Sequence, residues 1–291
     1  MSTQLTNCTD LSVGNIVFSK AENKAIPNTS ISYNRIPISY KNSDGSIGDL
    51  IIPTEKLFSF GLQENTDMNS GKVNGYSVSL CLWNKNGPTE EEELFISTFE
   101  NVVDKCKEHL LLEDTKDQLG KYDLDESDLK KFNPIYRKRE KGKVVEGKSP
   151  CLYPKVIVNK KGGDLKINTF FVDSTTGEDI DPLSLKDKRM NCVCGVKIES
   201  IFVGRTISLQ VKLYECVVDI LDTGMKRLLN VSRNTSKDSV SMSDMVADNG
   251  SIKDDDEEEE ELEIQPDVEP EPEPEPEPEK PKKKGGRKKK A

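Results

Sequence analysis

The chain has 291 residues, of which 34% are hydrophobic and 32% charged, and its formal net charge is −10. This length allows one large domain or two small ones, and the composition is typical of a globular body joined to a solvated segment. The sequence has no run of about 18 apolar residues, and residues 1–10 lack the regions of a secretory signal, so we expect no membrane span and no secretion.

Alternating apolar and polar residues predict strands in the first third of the chain, at residues 31–40, 50–52 and 76–83. In the last of these strands Tyr76 falls on the apolar face and Trp83 on the opposite one. Residues 89–113 then predict an amphipathic helix. Its start has a capping threonine followed by four glutamates, and apolar residues recur at helical spacing after them.

Further strands follow a polar connection. Residues 152–158 and 165–172 flank a Lys-Lys-Gly-Gly turn, and residues 196–203 and 206–221 flank Gly204-Arg205. One helix among at least six strands excludes repeated βαβ units. We therefore predict a mainly β (α+β) fold, an OB-like Greek-key barrel with one inserted amphipathic helix. The oligonucleotide-binding barrel has such a helix between its third and fourth strands.

Composition divides the chain into three zones: a domain at residues 1–225, a polar linker at 226–253 and a tail at 254–291. Residues 254–279 carry 16 acids and no base, including an (EP) repeat, and residues 280–291 carry eight bases and no acid. We predict that this acidic and basic tail is disordered, because it cannot bury enough apolar surface to offset the entropy of ordering. The tail could occupy the protein's own basic groove, dock partners or maintain solubility.

The most basic part of the domain is residues 130–166, with 12 bases against three acids and with aromatic residues interleaved. Cations that follow a phosphate backbone, together with aromatic faces on which bases stack, are typical of single-strand binding. A solvated loop is the alternative. The candidate nucleic-acid-binding residues are Lys130, Lys131, Arg137, Lys138, Arg139, Lys141, Lys143, Lys155, Lys160, Lys161, Arg205, Lys212, Trp83, Tyr136, Tyr153 and Tyr214. For Trp83, Tyr214 and Lys212 a structural role in the fold remains open.

Catalytic and metal chemistry find little support in the sequence. The seven cysteines are irregularly spaced without a Cys-x-x-Cys motif, which is typical of reduced intracellular thiols. Cys192 and Cys194 would share one face of a strand, but zinc needs further ligands that the sequence does not place nearby. The single histidine, His109, is expected on the flank of the helix. We therefore predict a protein that is not an enzyme and has no metal and no cofactor.

Four blocks of the sequence resemble a protein family of nucleocytoplasmic large DNA viruses. They are FSFGLQEN (58–65), GYSVSLCLW with PTEEEELF (75–95), NPIY (133–136) and KIESIFVGRTISLQVKLYE (197–215). That family is similar to the podophage-type single-stranded-DNA-binding proteins, which have an oligonucleotide-binding barrel and an acidic C-terminal tail. The resemblance covers residues 31–221. The phage tails stay acidic to a terminal aromatic residue, whereas this tail ends in PKKKGGRKKKA.

The resemblance implies a protein that coats exposed single-stranded DNA during viral DNA replication, recombination or repair. Its partners would be single-stranded DNA and, through the acidic tail, replication proteins, with no membrane; a homo-oligomer is left open. The expected location is intracellular, in the host cytoplasm (viral factory) or nucleus. Two alternatives remain: an acidic-tailed chaperone or scaffold of basic proteins, and a virion structural protein.

Overall fold

The computed structural model describes residues 3–25, 31–67, 71–84, 87–161 and 164–221, and these residues are mainly β-sheet with two α-helices. The helices are α1 (Glu90–Leu111) and α2 (Glu113–Leu119). The strands are β1 (Gln4–Leu5), β2 (Ile16–Phe18), β3 (Glu22–Ala25), β4 (Ser32–Lys41), β5 (Ile47–Gly48), β6 (Leu50–Pro53), β7 (Leu57–Thr66), β8 (Val73–Cys81), β9 (Arg139–Glu140), β10 (Lys143–Val144), β11 (Cys151–Leu152), β12 (Lys155–Val156), β13 (Val158–Lys161), β14 (Asp164–Ile167), β15 (Phe170–Asp173), β16 (Met190–Val203) and β17 (Ile207–Ile220).

Helix α1 begins with a capping box. The backbone N–H of Glu92 donates to Thr89 Oγ1 (3.2 Å), and the Glu92 carboxylate accepts from the backbone N–H of Thr89 (2.8 Å). The apolar face of α1, which includes Phe99, is buried in the core. The predicted helix and its cap are therefore confirmed.

The prediction of a single helix is wrong. At Leu112 the backbone leaves the helical region (φ −64°, ψ 139°), and α2 follows directly and ends at Gly120 with φ 63°. Helix α2 has only seven residues and buries two of them, Thr115 and Leu119. A helix this short lacks a detectable apolar period, so it merges with the polar connection in the sequence.

Five strands pair along a closed path. β7 pairs with β8, β8 with β12, β12 with β17, β17 with β16, and β16 returns to β7. Only the β12–β17 pairing is parallel; the other four are antiparallel. In chain order β7, β8, β12, β16 and β17 are the first to fifth strands of this path, which we call the five-strand ring. Its inward-facing apolar side chains form the buried core with the apolar face of α1.

Both helices lie in the connection between β8 and β12, which are the second and third strands of the ring. This differs from the position between third and fourth strands that the oligonucleotide-binding barrel suggests. The difference arises because the strands predicted at residues 31–40 and 50–52 correspond to β4 and β6, which pair with β16 outside the ring. The first strand of the ring, β7, was not predicted.

The predicted hairpin at Gly204 and Arg205 is confirmed, since β16 and β17 pair along almost their whole length. The other is confirmed in part: β13 pairs with β14, but residues 152–158 are divided among β11, β12 and the first residue of β13, and residues 165–172 between β14 and β15. β16 also pairs with β4 and β6, so this strand lies at the centre of the sheet. The predicted linker and tail lie outside the described residues. Within the described part of the chain, no helix is long and apolar enough to cross a membrane.

Gly61 interrupts β7 at a bulge and adopts φ +91°, a conformation that favours glycine. A Cβ atom at this position would lie 2.5 Å from the carbonyl oxygens of both Leu185 and Lys188. The loop that leads into β16 therefore rests directly on the backbone of β7.

Candidate nucleic-acid interface

Four side chains form a row across neighbouring strands on the outer face of the five-strand ring. Tyr136 pairs with Cys151, Cys151 with Cys81 on β8, and Cys81 with Phe58 on β7, each in antiparallel register. Directly opposed residues of antiparallel strands have side chains on the same face, about 4.5–5.5 Å apart. The residues next to this row, such as Leu80, point inward and are buried. Tyr136 and Phe58 are thus separated by two thiols.

Two further aromatic side chains adjoin this row. Phe60 is 48% exposed and meets the Phe58 ring edge-on at a centroid distance of 5.0 Å. Tyr153 follows Cys151 by two residues and is 45% exposed, and Tyr136 is 51% exposed. We call Phe58, Phe60, Tyr136 and Tyr153 the aromatic strip. Rings that are exposed on one face and fixed by backbone pairing can stack on nucleobases.

A basic hairpin begins at Tyr136, at one end of the aromatic strip. The backbone groups of Tyr136 and Cys151 exchange two hydrogen bonds of 2.8 Å, so residues 137–150 form a loop whose base lies in the strip. Within this loop β9 and β10 pair around Lys141 and Gly142, which have φ 49° and φ 78°. We call residues 137–150 the basic hairpin. Its exposed bases are Lys138, Arg139, Lys141, Lys143 and Lys148.

Ion pairs neutralise part of the positive charge in this segment. Arg137 donates to Glu100 on α1 at 2.7 Å, and Lys138 lies 3.2 Å from Glu140. The predicted candidates Lys130 and Lys131 are exposed in the turns before the hairpin. The structure therefore places six of the 12 bases of residues 130–166 in the basic hairpin, which begins at the aromatic strip.

A second row, of lysines, crosses the same outer face. Lys197 on β16 is opposite Lys212 on β17, and Lys212 is opposite Lys155 on β12. Lys197 forms an ion pair with Asp49 at 3.1 Å, and the Lys155 ammonium donates to the Gln210 side chain at 3.4 Å. Lys212 is only 4% exposed, although the strand alternation predicts an outward side chain. Of the two predicted cations in this row, only Lys155 is partly exposed.

Three further predicted candidates are not members of the strip. Trp83 follows Cys81 by two residues, beyond the end of β8, and is half-buried against the core, with its backbone N–H donating to Ser149 Oγ (3.0 Å). Tyr214 is half-buried and meets Phe170 edge-on at 6.2 Å. Arg205 is exposed at the turn between β16 and β17. Lys160 and Lys161 belong to β13, but their side chains lie outside the described part of the structure.

The thiols in the row differ in acidity. A hydrogen bond with Cys81 lowers the pKa of Cys151 to about 7, opposed by burial and assisted by a hydrogen bond with Tyr153. The same contact and burial raise the pKa of Cys81. Burial, followed by the charge of Cys151, raises the pKa of Tyr153 to about 12, so its hydroxyl keeps its proton at neutral pH. Cys151 therefore ionises before Cys81 does.

Three more cysteines meet inside the core. Cys194 lies 3.7 Å from Cys192 and 3.6 Å from Cys216 between sulfur atoms, and all three side chains are buried. The sequence placed Cys192 and Cys194 together but not Cys216. These thiols are the only Cys, His, Asp or Glu cluster within the described ranges that could hold a metal ion, and soft ions suit such ligands. Hydrogen bonds with Cys192 and burial raise the pKa values of Cys194 and Cys216, so these two thiols stay neutral and pack as small apolar groups. The same hydrogen bonds lower the pKa of Cys192 to about 5.

Sequence reasoning missed Phe58 and Phe60 as candidate residues. Both belong to the segment Phe-Ser-Phe-Gly, in which the aromatic residues recur with the period of a strand. That alternation was the available signal. Their position on the same face as Tyr136 could not be read from the sequence, because it depends on strand pairings between distant parts of the chain.

Comparisons with known proteins find viral relatives. The chain is 31% identical over 196 residues to the Early 31 kDa protein of Frog virus 3 (isolate Goorha). The aligned region covers 67% of this chain and 73% of the relative. The chain is 27% identical over 175 residues to Uncharacterized protein 007R of Invertebrate iridescent virus 3, which covers 58% of this chain but only 36% of the relative. The implied relation to large DNA viruses is thereby confirmed. The family described as "Protein of unknown function (DUF2738)" matches residues 12–263, and the chain belongs to this family.

Proposed function

We propose that this protein binds single-stranded DNA without enzymatic activity and coats exposed strands during viral DNA replication, recombination or repair. One observation carries the proposal: the base of the basic hairpin, Tyr136, lies in the same cross-strand row as Phe58. Cations for phosphates and flat surfaces for bases are therefore adjacent. Single-strand binding without sequence preference needs this combination.

We further propose that the five-strand ring is a barrel of the oligonucleotide-binding type. Such barrels bind their ligand on the face of the second and third strands and with the loops that join strands one to two and four to five. In the ring, Cys81 is on the second strand and Lys155 on the third. Lys72 precedes the second strand, and Arg205 lies between the fourth and fifth. The aromatic strip borders this face: Phe58 and Phe60 lie on the first strand, and Tyr136 pairs with β11, which is itself paired with the second strand.

In this arrangement a strand of DNA would run along the outer face of β7, β8 and β11. Its bases would stack on the aromatic strip, and its phosphates would contact the basic hairpin and Lys155. An aromatic face accepts every base, so sequence preference would be small. Neither an activated nucleophile nor a paired acid and base is required for this function.

Titration of the full-length protein with single-stranded and duplex oligonucleotides at two salt concentrations tests the proposal. We expect tight binding only to single strands, with a site size of about 4–16 nucleotides per barrel. Affinity should fall with salt, with a logarithmic slope of about −0.7 for each phosphate contact. Equal affinity for duplex, or no binding to either, would overturn the proposal.

Matched double variants connect the titration to the structure. Lys141→Ala with Lys143→Ala removes two exposed charges from the basic hairpin, and Lys105→Ala with Lys107→Ala removes two partly exposed, ion-paired charges from α1. The first pair should weaken binding and reduce the salt slope, whereas the second should change both less. If the wild-type protein does not bind DNA but its tail captures histones, the acidic-tailed chaperone replaces the proposal.

A further inference from the structure

Cys81 and Cys151 face each other at the centre of the row that joins the two halves of the aromatic strip. They are directly opposed in the antiparallel pairing of β8 and β11. The neighbouring pair carries the backbone hydrogen bond, from Leu82 N to the Pro150 carbonyl oxygen (2.9 Å). Cys81 and Cys151 are therefore a non-hydrogen-bonded pair, in which Cα atoms are about 4.5 Å apart. This separation lies within the range of about 4.4–6.8 Å that a disulfide bridges.

We propose that Cys81 and Cys151 form a reversible disulfide across β8 and β11, and that this bond strengthens binding at the aromatic strip. The first part is independent of DNA. The second part rests on the proposed function, because it concerns the affinity of the same surface for single strands.

Accessibility separates this pair from the other facing cysteines. Cys81 and Cys151 are each partly exposed, whereas Cys194 and Cys216, which are also directly opposed, are fully buried in the core. A small disulfide oxidant can reach the first pair but not the second while the protein is folded. The lowered pKa of Cys151 adds a nucleophile, because the thiolate is the reactive form.

Oxidised glutathione supplies a balanced reaction. The Cys151 thiolate attacks one glutathione sulfur, which forms a mixed disulfide and releases the first glutathione thiolate. The Cys81 thiolate then attacks the Cys151 sulfur and releases the second glutathione. Two electrons pass from the cysteine pair to glutathione disulfide, and the two cysteine protons end on the two glutathione thiols. Reduced glutathione reverses both steps.

The bond would change the strip in two ways. It removes the negative charge of ionised Cys151, which lies between the aromatic rings and the cations of the hairpin. That charge would repel the DNA phosphates. The bond also fixes β11, and with it Tyr136, relative to β8, so less freedom is lost when DNA binds. Both changes favour the oxidised form. We expect its affinity for single strands to be about two- to fivefold higher, the size of one exposed charge interaction.

The first experiment measures the bond in the folded full-length protein. The protein is equilibrated with oxidised and reduced glutathione, all free thiols are then alkylated in denaturant, and peptides are mapped without reduction. Two of the seven cysteines should escape alkylation, joined as Cys81–Cys151, and excess reduced glutathione should restore them. Cys81→Ser should accumulate the mixed disulfide on Cys151, whereas Cys151→Ser should react more slowly. Cys8→Ser, which alters another half-buried cysteine, should behave as wild type.

The second experiment titrates the oxidised and reduced forms with a single-stranded oligothymidine. A higher affinity of the oxidised form in wild type and in Cys8→Ser, but not in Cys81→Ser, supports the inference. Absence of the Cys81–Cys151 peptide overturns it, and so does a bond without an effect on affinity. If the bond forms and neither form binds DNA, the proposed function fails and the redox pair stands alone.

Discussion

Arg137 and Glu100 join the base of the basic hairpin to helix α1, with the guanidinium Nη1 2.7 Å from the carboxylate Oε1. The side chain of Asn133 donates to the same carboxylate oxygen at 3.5 Å. Both partners of the ion pair are partly exposed, so the contact orients the hairpin more than it stabilises the fold.

Glu100→Gln should raise the affinity for single-stranded DNA at low salt, because it removes a negative charge beside Arg137 that competes with phosphate. The loss of stability should be small, about 0.2–1 kcal/mol. Glu108→Gln is the matched control, since it also breaks an ion pair on α1, with Lys105 at 3.0 Å. Binding isotherms at low and high salt measure the effect. A fall in affinity for Glu100→Gln would show that orientation of the hairpin outweighs charge.

Alanine in place of each exposed tyrosine of the strip should weaken single-strand binding by about 1–3 kcal/mol, because one stacking surface is lost. Tyr136→Ala and Tyr153→Ala are the informative changes, and Tyr153→Phe should retain most of the affinity. Tyr122 is 72% exposed but lies outside the strip, so Tyr122→Ala should bind as wild type. Isotherms of the four variants measure this. Equal losses for Tyr122 and Tyr153 would remove the strip from the interface.

Trp83→Ala should act on stability more than on binding. The indole is half-buried and packs against the core, so truncation should cost up to about 3–5 kcal/mol, the range for a buried large aromatic side chain. Chemical denaturation beside a binding isotherm separates the two effects. A stable variant that has lost about 1–3 kcal/mol of affinity would instead assign Trp83 to stacking on a base.

His109 offers a test of the packing of α1 on the N-terminal strands. Its ring stacks on Phe18 at a centroid distance of 4.0 Å, and burial, followed by the charge of Lys105, lowers its pKa. The folded protein therefore disfavours the charged ring. The stabilisation is present above the unfolded pKa of about 6.5 and is lost as pH falls through the lower folded value.

The chain has a single histidine, so its ring-proton resonance is unambiguous in an NMR titration. The midpoint should lie below that of a histidine in an unfolded peptide. His109→Phe should keep the stack and remove this share of the acid sensitivity of the melting temperature. A midpoint at or above the peptide value would contradict the packing of His109 against Phe18.

Deletion of residues 254–291 should raise single-strand affinity at low salt. The 16 acids of residues 254–279 would compete with DNA phosphates for the same lysines, so added salt should shrink the gain. Deletion of residues 280–291 alone removes eight bases that can pair with these acids, so it should weaken binding. Isotherms of both truncations across salt measure the competition. Unchanged affinities would assign the tail to partners or solubility.

Local patterns predicted the elements that local chemistry determines. The capping box at Thr89 and the long alternation of β16 and β17 are visible in a few neighbouring residues, and both are confirmed. The row from Phe58 to Tyr136 was not predictable. It depends on pairings between residues far apart in the chain, and one partner, β11, has two residues and no pattern of its own.

The burial of outward-facing side chains was the second feature that sequence patterns did not predict. Alternation correctly predicted that Lys212 and Leu213 lie on opposite faces of β17. The Lys212 side chain is nevertheless almost fully buried on its face. The approach of Cys216 to Cys194 likewise follows from the register of β16 and β17, which the sequence leaves open. A strand pattern assigns a face, and neighbouring segments decide whether that face meets solvent.

Gly61 fixes the register of β7, the strand that carries Phe58 and Phe60. Two carbonyl oxygens lie only 2.5 Å from the position where any other residue would carry its Cβ atom. If β7 slipped by one residue, Phe60 or Leu62 would have to enter that space, and the apolar residues of the strand would turn outward. The single hydrogen of Gly61 thus fixes the register of β7, which keeps both phenylalanines on the outer face, where the thiols lie, and out of the core.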